Sequence, residues 1–299
     1  MSPLQLAGFA PIHVLLPRMS LATLQASGLS LMAAAAWGGG DFSGGLASKR
    51  ASVFRVVAVA HACGLLASLA MALLSREPLP PLSALEWGAF AGMVGGFGIV
   101  ALYRALAIGR MGVVAPVAAV VTGVLPVLVG IQSEGLPEPA QLVGFVLALV
   151  SIWLVARANS NLDSHSGFGL AVLAGIAFGL FLIAGKHAGH DGVFWPLVAA
   201  RAVSTVLMLV LVAVLPRNTE PLRPVLWQVV LSGLLDSAGN ALFIAATRYG
   251  RLDVAAVLSS LYPATTVLLA RFVLKERIAP WQAIGIALAL TAVALISVG

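Results

Sequence analysis

The sequence predicts an all-α membrane protein of ten transmembrane helices, arranged as two inverted five-helix repeats. Three observations carry that prediction: composition, segment length and an internal duplication. Of 299 residues, 60% are apolar and 9% charged, and the mean hydropathy is +1.03. A chain of that size with so little polar surface cannot stay dissolved as a globule. Ten stretches reach or approach the roughly 20 apolar residues that a helix needs to cross a hydrocarbon core. They are 21–47, 53–74, 84–107, 112–131, 140–157, 168–186, 193–215, 225–247, 254–274 and 279–298. A shift of 141 residues lays the first half on the second, pairing Gly38 with Gly179, Gly44 with Gly185, Arg76 with Arg217, Gly92 with Gly233, Gly98 with Gly239 and Gly109-Arg110 with Gly250-Arg251. An Ala- and Leu-rich composition does not place glycine and arginine matches on one diagonal. Five crossings per copy make the second copy enter the membrane from the opposite side.

The segments follow in order. The first ends in Gly38-Gly39-Gly40 and Gly44-Gly45 around Asp41, a run suited to close packing of a neighbouring helix or to local unwinding. Asp41 shares its face with Trp37, Gly44 and Ser48 and stands close enough to Lys49 and Arg50 to be partly hydrated. The second carries His61 with Gly64, Leu65 and Ser68 on its face. The third and eighth share the glycine pattern. Pro116 and Pro126 are expected to interrupt the fourth, because proline removes a ladder bond. The fifth, from Ala140 to Val155, is Ala-, Leu- and Val-rich without alternation, which excludes a barrel strand and suits a helix that closes its own backbone bonds. The seventh carries Arg201, and the eighth has Asp236 at its centre with Ser232 and Asn240 one turn either side. Tyr262 and Pro263 interrupt the ninth after Ser259-Ser260. The gaps are too short for a soluble domain, and the longest, Arg157 to Ser166, joins repeats of 21–157 and 167–298.

Seventeen Lys and Arg residues and a net charge of +6 are scattered through the loops, so the basic balance points to lipid and to the positive-inside rule, not to nucleic acid. Arg18, Arg76, Lys186, Arg248 and Arg251 fall on the side of the termini, against eleven on the other side, among them Lys49, Arg50, Arg55, Arg104, Arg271, Lys275 and Arg277. That count puts both termini outside the cytoplasm. Residues 1–18 lack a basic leader and contain Pro3, Pro11 and Pro17, so they read as a short lead-in or as a start at Met19 and not as a signal peptide. The single Cys63 removes intrachain disulfides and cysteine-based metal sites.

Charged groups at bilayer depth persist only where they face a cavity or a partner. Asp236 corresponds by the repeat to Gly95, so the polar stripe belongs to one copy, as a functional acid or as a buried packing acid. Arg201 can pair with Asp236, hold an anionic group in fork geometry, or snorkel to the interface. His61 is a candidate proton-coupling residue or a packing group. Asp236, Asn240, Arg201, Asp41, His61, Trp37 and Tyr262 are the candidate binding or coupling residues, and Trp37, Tyr262 and Trp195 a candidate aromatic lining. Lys186-His187 with His190-Asp191 echoes a metal site only loosely, and neither metal nor cofactor is expected. No HExxH, Walker or G-x-S-x-G pattern occurs, so there is no internal ATP motor and no enzyme is expected.

Trp37-Gly38, Arg201 after Pro196, Leu261-Tyr262-Pro263 with Glu276, Gln282 and Gly285, and Glu134 with Gln141 and Gly144 together resemble the EamA-like family of the drug/metabolite transporter superfamily. The likeness covers nearly the whole chain in two copies. Ser133 and Lys275 depart from it, standing where the family usually has glycine before the glutamate, and the first copy has no proline matching Pro263. The resemblance implies two EamA-like repeats forming a secondary transporter of small metabolites, amino acids or related small solutes, by export or exchange. A central cavity lined from both copies would open alternately. It further implies a multi-pass protein of the plasma membrane, of the bacterial inner-membrane kind, working alone or as a homodimer. A membrane-embedded structural or assembly subunit is the alternative, and it leaves Asp236 and Arg201 without a purpose.

Overall fold

The computed structural model of the protein describes residues 21–109, 111–157, 167–215, 220–273 and 280–298. These residues form α1 (Leu21–Ser48), α2 (Val53–Leu74), α3 (Leu82–Ile108), α4 (Met111–Glu134), α5 (Pro139–Arg157), α6 (Phe168–Ala188), α7 (Phe194–Val214), α8 (Leu226–Tyr249), α9 (Leu252–Ser259), α10 (Tyr262–Val273) and α11 (Pro280–Val298), with no strand among them. Among the described residues, six stretches are long and apolar enough to cross a membrane: Val53–Leu74, Leu82–Ile108, Phe168–Ala188, Phe194–Val214, Arg223–Tyr249 and Leu252–Val273. The lead-in before residue 21, with the choice between Met1 and Met19, lies outside the described residues. So do Lys275, Glu276 and Arg277.

Proline sets several helix starts. Pro139 and Pro280 open α5 and α11, Pro196 lies in the first turn of α7, and a 3-10 turn, Arg223–Val225, leads into α8. In each place the missing N–H is one that no helix of its own would bond. The predicted span 254–274 breaks in two. Leu261 donates to the carbonyl of Leu258 at 3.2 Å and Ala264 to that of Leu261 at 3.0 Å, a tight turn after which Pro263 sits in the first turn of α10. The expected interruption of the fourth segment does not occur: α4 runs unbroken from Met111 to Glu134. A proline deletes one rung of the ladder, and the turns on either side of Pro116 and Pro126 continue across it.

Many large apolar side chains face outward. Leu66, Leu73 and Leu74 on α2 and Val206, Leu209 and Val210 on α7 are exposed, while small residues such as Ala33, Ala118, Ala119, Ala171, Ala174 and Ala184 are buried beside larger ones such as Tyr103, Leu102 and Phe243. Lipid is as apolar as leucine, so helices gain by close approach of small residues and not by hiding large ones. Gly92 lies against the backbone of Ala200, and Gly233 against that of Ala60.

Helix pairing exchanges under the repeat. The most extensive packing joins α1 to α8, α3 to α6 and α5 to α11; the first two are equivalent pairs once the halves are swapped, and α5 and α11 are each other's equivalents. Helices α2 and α7 are likewise equivalent, pack together and run antiparallel. Beyond the C-terminus of α2, the Glu77 carboxylate accepts hydrogen bonds from the N–H groups of Val193, Phe194 and Trp195 at 2.6, 2.8 and 3.0 Å, at the start of α7. At the other end Arg55, in the first turn of α2, donates to the Glu220 carbonyl beyond α7 at 2.8 Å.

Candidate functional site

The two halves line a cavity of about 520 Å³, open solvent at its mouth included, formed by Trp37, Asp41, Gly95, Ile99 and Thr122 from the first half and Phe178, Phe181, Leu182, Arg201, Asp236, Asn240, Ser260 and Tyr262 from the second. Four pairs of these residues are related by the 141-residue shift: Trp37 and Phe178, Asp41 and Leu182, Gly95 and Asp236, Ile99 and Asn240. The cavity therefore occupies the place where the repeats meet. Its chemistry is one-sided, because α1 and α8 bring Asp41, Asp236 and Asn240 to one wall, and the equivalent positions on α6 and α3 are Leu182, Gly95 and Ile99.

The three members of the α8 stripe each have a partner on another helix. Ser232 and the Tyr103 hydroxyl share a hydrogen bond at 2.6 Å, Asp236 Oδ2 accepts from Arg201 Nη2 on α7, and Asn240 Oδ1 accepts from the Trp37 indole N–H at 2.9 Å. Arg201 is 6% exposed, so it does not snorkel. Buried beside a carboxylate, the guanidinium has its charge balanced inside the protein.

His61 is 2% exposed, and its Nε2 lies 3.9 Å from Asp236 Oδ2, the oxygen that Arg201 holds. That distance is too long for a hydrogen bond, and neither ring nitrogen has a hydrogen-bond partner among the described residues. His61 and Arg201 each follow the alanine on which the equivalent glycines Gly233 and Gly92 pack. The two residues thus occupy equivalent places, with a local shift of 140 where the flanking helices keep 141.

Asp41 is buried in the bundle, although Lys49 and Arg50 two turns further on are exposed. It is 7% exposed, lines the cavity, and has neither a hydrogen bond nor an ion pair among the described residues. The glycines around it serve close packing. Helix α1 is continuous through them, Gly38 meets the Tyr262 carbonyl and Thr265, Gly44 meets the Tyr103 ring, and a side chain at Gly40 would come within 3.4 Å of the Asp236 nitrogen.

Trp37 and Tyr262 line the cavity, with Tyr262 donating to the Ala115 carbonyl at 3.4 Å. Trp195 is not part of this lining: its indole donates to the Glu77 carbonyl at 2.8 Å, at the α2–α7 end. The loop histidines diverge, because His187 stacks on Trp87 with ring centroids 4.8 Å apart while His190 pairs with Asp191 at 3.3 Å. Among the described residues no cluster of three or more His, Cys, Asp and Glu could hold a metal ion.

Sequence reasoning missed Tyr103, Glu77 and Asp253. Tyr103 also approaches the Gly40 carbonyl at 3.5 Å. Asp253, fully buried, receives two hydrogen bonds from Arg251 at 3.1 and 2.9 Å, and Arg251 also donates to the Gly135 carbonyl at 2.7 Å. The hydrogen bonds to Asp253 raise Arg251 above its already high ordinary pKa, so this tie between the α8–α9 and α4–α5 connections keeps its cation. The spacing Arg-x-Asp was the one available signal.

The family model for the EamA-like transporter family matches residues 25–157 and 165–298. The chain belongs to the EamA-like transporter family. Members of that family are membrane transporters. No curated protein matches the chain. One solved crystal structure of a protein, 20% identical, superposes with a TM-score of 0.70 over 90% of this chain and 95% of that one. At that identity the likeness speaks to the EamA-like fold alone.

Proposed function

We propose that the protein is a secondary transporter that carries a small metabolite through the central cavity by alternating access. Its working parts are two inverted five-helix units, 21–157 and 167–298, with α9 and α10 together making one of ten crossings. The observation that carries this reading is the cavity itself, which is lined by residue pairs related by the repeat. A site at the junction of two copies opens to either side when one copy rocks against the other.

Several contacts support the inverted arrangement. Equivalent helices α2 and α7 run antiparallel, and the cross-loop ties join loops that ten alternating crossings put on one side: Glu77 with 193–195, Arg251 with Gly135, and Arg55 with Glu220. Without a phosphate-binding loop, the drive is a gradient of solute or protons. Asp236, between Arg201 and His61, is the coupling candidate. Asp41, Trp37, Asn240 and Tyr262 meet the solute. The protein resides in the plasma membrane, with lipid and a small solute as its partners.

The test is flux of a labelled amino-acid and small-metabolite panel into and out of proteoliposomes, with and without an imposed pH gradient. Native protein is compared with Gly95→Phe, which fills the cavity. Flux in the native protein and none in a folded Gly95→Phe variant is expected; undiminished flux in that variant would contradict this reading.

A further inference from the structure

Asp41 is the one charged group of the cavity without a counter-charge among the described residues. The cavity holds two carboxylates, Asp41 and Asp236, and one cation, Arg201. Arg201 is committed to Asp236, so a solute carboxylate finds no free cation there, and a solute cation finds Asp41 unpaired. A buried carboxylate left alone is strongly unfavourable, so the site is complete only with a positive charge beside it. Trp37 lies one turn before Asp41 on the same helix and is held by Asn240, and Tyr262 lines the same space. Aromatic rings next to a carboxylate suit an ammonium group. Across the cavity, Phe178, Phe181, Leu182 and Ile99 offer a hydrocarbon surface with no hydrogen-bonding group.

We infer that the cavity takes a small organic cation with an apolar body, its ammonium against Asp41 and its hydrocarbon part against the α3–α6 wall. This rests on the cavity being the solute site. A proton on Asp41 is the rival occupant, and it predicts no preference for charged over neutral solutes.

The probes are 2-phenylethylamine, 2-phenylethanol and 3-phenylpropionate, which are of similar size and differ in charge, titrated calorimetrically into the full chain in lipid nanodiscs. The amine binds at least about ten-fold more tightly than the alcohol, and the acid binds most weakly. Asp41→Asn loses the preference for the amine while the affinity for the alcohol is retained, and Asp41→Glu restores it. Equal binding of amine and alcohol, tighter binding of the acid, no amine binding, or an unchanged preference in Asp41→Asn overturns the inference; if Asp41→Asn does not fold, the ranking in the native chain decides. Proteoliposome flux separates the two readings. Flux of alcohol or acid as fast as amine sinks the cation assignment and leaves the transporter standing. Amine binding without flux of any probe sinks the transporter and leaves the cation site.

Discussion

His61 and Arg201 approach the same oxygen of Asp236 from equivalent positions on α2 and α7, Arg201 in direct contact and His61 Nε2 at 3.9 Å. A duplicated scaffold has thus placed a permanent cation in one copy and a titratable base in the other, with one acid between them. The acid has no counterpart, because Gly95 stands at its equivalent position.

Removing either member of the Arg201–Asp236 pair leaves a buried charge. Asp236→Asn and Arg201→Gln are each expected to lower stability by about 3–5 kcal/mol, and the double variant to recover most of that loss without regaining transport. Thermal unfolding of the four proteins in detergent, run as a double-mutant cycle, measures this. A double variant no more stable than the singles contradicts the pairing.

The glycine contacts make a graded prediction. A methyl at Gly92 or Gly233 would run into the backbone of Ala200 or Ala60, whereas Gly28 has no neighbour within 4 Å. Gly92→Ala and Gly233→Ala are each expected to cost about 1–3 kcal/mol, and Gly28→Ala to change stability by less than about 1 kcal/mol. Equal unfolding temperatures for all three variants would remove the close-packing argument.

Glu77 caps α7 with one carboxylate and three backbone N–H groups. Its replacement by alanine is expected to cost about 1–3 kcal/mol through the loss of charge-assisted bonds at a helix N-terminus, with Glu77→Gln in between. Limited proteolysis in the 189–193 loop reports the same loosening, and an unchanged cleavage rate in Glu77→Ala argues against the cap.

Much of this was legible because bilayer physics writes itself into sequence. Apolar length located the helices, the 141-residue diagonal exposed the repeat, and the i, i+4 spacing of Ser232, Asp236 and Asn240 marked a face that does meet partners. What stayed hidden depends on neighbours distant in the chain. Tyr103 looks like an ordinary aromatic residue of an apolar segment until Ser232 is brought to it, and Glu77 looks like a loop acid until α7 starts beneath it. Asp41 is buried while Lys49 and Arg50, two turns on, are exposed, because distance along a helix says nothing about which face is enclosed. Pro126 and Pro263 look alike in sequence, yet one is absorbed within α4 and the other follows a turn.

A carrier that works by alternating access opens its cavity in turn to each side of the membrane. The deciding experiment places one cysteine at Thr122 in a Cys63→Ala chain, reconstitutes it in sealed vesicles, and applies a membrane-impermeant thiol reagent from either side. Labelling from both sides, with protection by a filling side chain at Gly95, is the predicted result. Labelling from one side alone under every gradient and solute condition would rule out alternating access through this cavity.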